Sequence, residues 1–95
     1  MVRVLVLPQA RAEMDAARRW YDQQVEGLGT LFLTEVDKLI LRLAENPRAF
    51  PLSHAGLRRA LLRRFPYALF FRIEPDAVYI LACAHNHRDP ATWPR

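Results

Sequence analysis

Two apolar runs separated by a tight turn fill most of residues 65–90, FPYALFFRIEPDAVYILACAHNHRDP. The turn consists of Glu74-Pro75-Asp76-Ala77, and the runs on either side are rich in aromatic and β-branched side chains. This combination predicts two β-strands joined by a short loop. We therefore expect a β-hairpin followed by a polar segment, and the remaining elements have to pack against it.

Alternation of side chains along the hairpin predicts two faces of different chemistry. With the four turn residues in the loop, the expected pairs are Leu69 with Ala82, Phe71 with Ile80 and Ile73 with Val78. The first face is apolar apart from one phenol and consists of Tyr67, Leu69, Phe71, Ile73, Val78, Ile80, Ala82 and Ala84. The second face is half polar and consists of Ala68, Phe70, Arg72, Tyr79, Leu81, Cys83 and His85. The first face has to be covered by other elements.

The residues before the hairpin predict one strand and two helices. Residues 2–7 are β-branched or leucine apart from Arg3, and Pro8 ends this strand. Two helical stripes follow, Ala10, Met14, Ala17, Tyr21 and Val25, then Leu28, Phe32, Val36, Leu39 and Leu43. Gly27 and Gly29 are expected to end the first helix, and Asn46-Pro47 the second. Because the link is short, the helices form an antiparallel hairpin that covers the apolar face.

A basic strand is predicted between the helices and the hairpin. Residues 57–65, LRRALLRRF, contain four arginines within seven positions, and these cannot all face a core. We expect this strand at a sheet edge, where charged side chains prevent association with other strands. The order of elements predicts one α+β domain over residues 1–95 with two layers. It comprises an N-terminal strand, an antiparallel helix hairpin and a three-stranded antiparallel meander.

The composition limits the classes of function that need consideration. The chain has 14 basic and 10 acidic side chains, a net charge of +4, and Lys38 is its single lysine. This balance favours an acidic partner or a polyanion. One cysteine excludes an intrachain disulfide, and no apolar run approaches the ~20 residues of a membrane span, so we expect a cytoplasmic protein. The histidines lack the spacing of a metal site, and we predict no metal and no cofactor.

Three segments carry a combined pattern: AARRWYDQQVEGLGTLFLTEVDKLILRLAENP, FPYALFFRI and VYILACAHNHRDPATW. This pattern, which extends from about residue 4 to residue 93, resembles the RelE/ParE superfamily of toxins from bacterial toxin–antitoxin pairs. The resemblance implies an antiparallel sheet with the first strand beside the last. It also implies a cognate acidic antitoxin as partner, in a hetero-oligomer.

The ParE-like branch of this superfamily keeps the fold without a nuclease site and acts by binding DNA gyrase. FPYALFFRI, HRDP and the terminal Trp93 are more similar to this branch. The resemblance implies a toxin without enzymatic activity of its own that inhibits gyrase, arrests growth and stabilises plasmids. The residues that bind the target are then expected in the C-terminal segment, at His87, Arg88, Trp93 and Arg95.

An alternative is a RelE-like mRNA endonuclease that acts on the ribosome, with nucleic acid as a direct partner. Cleavage of RNA through its own 2′-hydroxyl needs a base, an acid and cations on the phosphate. The residues that supply such groups here are Arg59, Arg72, His85, His87 and Arg88. Against this alternative, the chain has no lysine in strands two to four and no tyrosine after Tyr79. A non-toxic, degenerate family member is the third hypothesis.

The half-polar face of the hairpin is the expected antitoxin-binding surface. Phe70, Arg72, Tyr79 and Leu81 form a mixed patch there, beside the arginine-rich strand. An exposed patch of this kind favours association, and a segment with apolar anchors flanked by Asp and Glu satisfies both of its parts. Burial of apolar area at Phe70 is expected to supply most of the affinity, and the arginines mainly orientation.

Overall fold

The computed structural model describes residues 1–86. Its elements in chain order are β1 (Val4–Val6), α1 (Pro8–Gln24), α2 (Leu28–Glu45), two short 3-10 turns (Pro47–Ala49 and His54–Gly56), β2 (Arg58–Leu61), β3 (Tyr67–Ile73) and β4 (Val78–His85). The predicted α+β order of elements is confirmed. The residues predicted to bind the target, His87, Arg88, Trp93 and Arg95, lie outside the described residues.

The four strands form one sheet in the order β1-β4-β3-β2, so the first strand lies beside the last. β2, β3 and β4 are antiparallel neighbours as predicted, but β1 runs parallel to β4. The expectation of an antiparallel sheet is therefore wrong at this edge. The N–H groups of Leu7 and Val78 donate to Ile80 O at 3.0 Å and to Arg3 O at 2.9 Å. The connection from β1 to β2 passes through both helices and returns the chain to the end of the sheet where β1 begins. β2 and β4 therefore run in the same direction as β1.

The two glycines between the helices act differently from the prediction. α1 ends at the extended C-cap Val25, and Gly27 takes a left-handed φ of 87° as the N-cap of α2. Gly29 belongs to α2, and its N–H donates to Asp22 Oδ1 at 2.7 Å. A Cβ atom at position 29 would lie 2.4 Å from Arg18 O. Gly27 therefore makes the turn, whereas Gly29 allows the helices to approach each other.

Both helices cover one face of the sheet, and the core lies between the two layers. α2 contributes the buried residues Phe32, Val36, Leu39 and Leu43, all from its predicted stripe. α1 contributes Ala10, Met14 and Ala17. The last member of its predicted stripe, Val25, lies beyond the helix and is 60% exposed. Neither helix of the described residues is long and apolar enough to cross a bilayer.

A β-bulge in β4 changes which side chains share a face. The predicted pairs Ile73 with Val78 and Phe71 with Ile80 are confirmed, but Phe70 pairs with Ala82 and Leu69 with Cys83. Leu81 is the extra residue, and one unpaired residue reverses the alternation of all that follow. The predicted faces are therefore wrong after Ile80. Cys83 and His85 lie on the helix side, and Ala82 and Ala84 lie on the open side.

The arginine-rich strand β2 lies at the sheet edge, as predicted, but it is shorter than residues 57–65. The backbone leaves the strand after Leu61, and Arg64 has a left-handed φ of 71° in the connection to β3. Ala60 and Leu62 are buried in the core, whereas Arg59 is exposed. A loop occupies part of the outer edge, where the Arg59 N–H donates to Pro51 O at 3.0 Å.

Candidate interaction surface

The open face of the sheet is less exposed than the sequence suggested. Phe70 is only 2% exposed and packs with small side chains, including Ala68 and Ala84. The bulge contributes to this packing because it places Ala82 and Ala84, rather than Leu81 and Cys83, on this face. The expectation that Phe70 is an exposed aromatic anchor is therefore wrong.

Arg72 and Tyr79 keep their predicted positions on the open face and are cross-strand neighbours near the hairpin turn. Tyr79 Oη donates to Asp76 Oδ2 at 2.5 Å. This hydrogen bond lowers the pKa of Asp76 from its ordinary value and raises the pKa of Tyr79. The Arg72 side chain is 52% exposed, and its Nε lies 4.0 Å from Glu74 Oε1. This end of the face presents polar groups to a partner, and the bulged Leu81 is half-buried beside it.

The described members of the predicted nuclease set do not converge. Arg59 lies on β2, Arg72 lies at the turn end of β3, and His85 lies at the opposite end of β4, paired with Tyr67. Tyr67 and Arg72 are five positions apart on β3, which is ~17 Å at the usual rise of ~3.3 Å per residue. A catalytic base and its partners have to reach the same reacting group. Arg72 and His85 therefore do not form one catalytic site.

A small cavity on the helix side surrounds the end of β4. Its volume is about 240 Å³, and its lining includes Glu13, Trp20, Tyr67, Cys83 and His85. Glu13 Oε1 accepts a hydrogen bond from the Cys83 N–H at 2.9 Å, and the rings of Tyr67 and His85 lie 5.4 Å apart. Burial, reinforced by the charge of Glu13, raises the pKa of the Cys83 thiol to about 12. The thiol therefore stays protonated and unreactive at neutral pH.

A cleft that the sequence analysis missed lies between α2 and the β2–β3 connection. Its volume is about 240 Å³, and Lys38, Arg42, Arg63 and Arg64 line it together with Glu35. The carboxylate Oε2 of Glu35, a residue that is 7% exposed, lies 3.5 Å from Lys38 Nζ. Residues 35, 38 and 42 are three and four positions apart and lie on one face of α2. The sequence alone could have indicated this charged face. Only the tertiary structure brings the two later arginines to that face.

One family model and one solved structure are similar to this chain over most of its length. The model of the family described as the ParE toxin of type II toxin-antitoxin systems, parDE, matches residues 4–90. A solved structure described as "Chromosomal ParDE TA system from P. aeruginosa" contains a chain that superimposes with a TM-score of 0.81. The two chains are 19% identical, over 90% of this chain and 96% of that chain, which shows a shared fold. The comparison with curated proteins found no match.

Proposed function

We propose a function from the premise that this chain belongs to the ParE toxin family of type II toxin–antitoxin systems. It is a toxin that arrests growth by inhibiting DNA gyrase in the cytoplasm, and a cognate acidic antitoxin neutralises it. A toxin of this kind stabilises a plasmid that encodes both proteins. The family match over residues 4–90 is the observation that carries this proposal.

The arrangement of the charged side chains supports binding rather than RNA cleavage. Arg59 and Arg72 lie on the open side of the sheet, and His85 lies on the helix side at the far end of β4. Within residues 1–86, the sheet therefore separates His85 from the two arginines, and the three groups do not reach one phosphodiester bond. Inhibition of gyrase needs a complementary surface and no acid–base chemistry by the toxin itself.

The decisive experiment is a gyrase cleavage assay with the purified protein. Gyrase, supercoiled plasmid and the toxin are expected to give linear DNA that stays covalently attached to gyrase, and addition of the antitoxin is expected to abolish it. Unchanged supercoiling together with new codon-positioned 5′ ends in cellular mRNA would instead establish the nuclease hypothesis. Normal growth after induction of the soluble protein would establish a non-toxic family member.

The C-terminal segment is proposed to bind the target through His87, Arg88, Trp93 and Arg95. A protein that lacks residues 93–95 is expected to fold with the same unfolding midpoint as the full chain and to give less gyrase-linked cleavage. The matched control is Arg48→Ala, which removes one exposed positive charge from the 3-10 turn Pro47–Ala49. Equal cleavage by the full and shortened chains would exclude this role of the segment.

A further inference from the structure

We infer that the cleft between α2 and the β2–β3 connection is a docking site for an acidic, leucine-bearing segment of the antitoxin. The proposed function supplies the identity of the partner, and the structure supplies the place. The cleft is distinct from the open-face pair of Arg72 and Tyr79.

The charge of the cleft is the first argument. Among the described residues that line it, Lys38, Arg42, Arg63 and Arg64 are positive, and Glu35 is the one carboxylate. Four positive groups against one negative group leave a local net charge of +3. Within residues 1–86, Lys38 is the only one of the four with a carboxylate in ion-pair distance. All three arginines are exposed, and the guanidinium of Arg42 also lies over the Phe50 ring, 5.5 Å from its centre.

The backbone at Arg64 is the second argument. Its φ of 71° lies in the left-handed region, which disfavours every residue with a Cβ atom and is usual for glycine or asparagine. An arginine in this conformation retains strain that asparagine would lessen, and such strain is concentrated at functional positions. Arg64 lines the cleft, so this strained backbone position belongs to the wall of the cleft.

One exposed leucine in the cleft and two exposed leucines elsewhere, on α2, favour a protein partner over nucleic acid. Leu61 lines the cleft and is 48% exposed. On α2, Leu31 lies one turn before Glu35 and is 50% exposed, and Leu41 lies one turn after Lys38 and is 57% exposed. A phosphate backbone would neutralise the arginines and leave these leucines in water. A segment with both leucine and acidic side chains covers both parts of the surface.

The location is tested with a short synthetic peptide of leucine and glutamate, by amide chemical shifts of the isotope-labelled toxin. Shifts are expected at Lys38, Arg42, Leu61, Arg63 and Arg64, and a peptide with glutamine in place of glutamate is expected to give none. Shifts confined to the open face around Arg72, or tighter binding of a short DNA duplex than of the acidic peptide in the cleft, would overturn the inference.

Charge variants test the partner with the antitoxin that is encoded with this toxin. Exposed ion pairs contribute up to about fivefold in affinity each, so the triple variant Arg42→Gln, Arg63→Gln, Arg64→Asn is expected to bind on the order of tenfold to hundredfold more weakly. Arg48→Gln, which removes a single exposed positive charge outside the cleft, is expected to stay within about twofold. Equal effects of the triple variant and of this control would overturn the inference.

Two single variants separate binding from a merely structural role. Arg64→Asn is expected to weaken binding while its thermal midpoint stays equal or rises, because asparagine tolerates the left-handed backbone. Glu35→Gln is expected to tighten binding about twofold to fivefold, because it removes the negative charge that opposes an acidic partner. Weaker antitoxin binding by a folded Glu35→Gln protein would overturn the inference. If the peptide binds in the cleft but cells that produce this protein grow normally, the proposed function is wrong, whereas the docking site stands.

Discussion

Gly29 sets the distance between the two helices. Its position leaves no room for a side chain, since a Cβ atom would meet Arg18 O at 2.4 Å and Asp22 Cγ at 2.6 Å. Gly29→Ala is expected to reduce the free energy of unfolding by about 1–3 kcal/mol, because the helices have to move apart. Thr30→Ala changes the exposed neighbouring residue and is expected to alter the free energy of unfolding by less than about 0.5 kcal/mol. Urea titrations of both variants check this, and coincident curves would contradict the close approach.

Cys83 makes the stability of the protein depend on pH in the alkaline range. Burial raises the pKa of its thiol from 9.0 to about 12, so the folded protein keeps the proton where the unfolded chain loses it. Stability is therefore fully present below the unfolded pKa and falls as the pH rises from about 9 towards 12. Urea unfolding across this range is expected to show a steeper loss for the natural protein than for Cys83→Ala. Parallel slopes for the two proteins would show that the thiol is not buried.

At the scale of elements, α1 protects the edge of β4 that β1 leaves unpaired. β1 pairs only with the first three residues of β4, and farther along Glu13 Oε1 accepts the hydrogen bond of the Cys83 N–H. Glu13→Ala leaves this N–H without its acceptor and is expected to cost about 1–3 kcal/mol, whereas Glu13→Gln keeps an acceptor and is expected to cost less. Hydrogen exchange at the Cys83 amide is expected to accelerate in the alanine variant alone. Equal exchange in both variants would refute this role of Glu13.

The open face of the sheet depends on Phe70 for stability. Because this ring is 2% exposed, Phe70→Ala is expected to cost about 3–5 kcal/mol of folding free energy. Any loss of antitoxin binding by a variant at this position is then expected to follow loss of folded protein. Arg72→Ala, on the same strand and face, is the control and is expected to keep the unfolding midpoint. Circular dichroism of both variants, with and without antitoxin, distinguishes loss of folded protein from loss of binding. A folded Phe70→Ala protein that does not bind the antitoxin would restore the hypothesis that Phe70 is an exposed anchor.

At the scale of the whole molecule, the sheet separates the groups that a nuclease would have to bring together. His85 and Arg72 lie at opposite ends of the β3–β4 hairpin and on different sides of the sheet. Arg72→Ala and His85→Ala are therefore both expected to retain growth arrest in induced cells. Primer extension on their mRNA is expected to show no codon-positioned 5′ ends. Loss of toxicity in both stably folded variants, with such ends present in the natural protein, would contradict the separation.

The sequence by itself determined the elements and the general architecture. The stripes of α1 and α2, the turn at residues 74–77 and the edge position of β2 all follow from patterns within short segments. Periodicity indicates which residues are buried, because the regular geometry of a helix or strand sets the direction of each side chain. The hairpin register was correct as far as Ile80 for the same reason.

The tertiary structure alone decided the register of β4 after Ile80, the burial of Phe70 and the formation of the cationic cleft. The bulge at Leu81 arises from pairing between two strands, and it transfers Cys83 and His85 to the helix side without any change in the local pattern of the sequence. Residues 63 and 64 meet α2 only when the sheet and the helix hairpin pack together. Such features depend on contacts between segments that are distant in the chain, and alternation or periodicity within one segment carries no information about them.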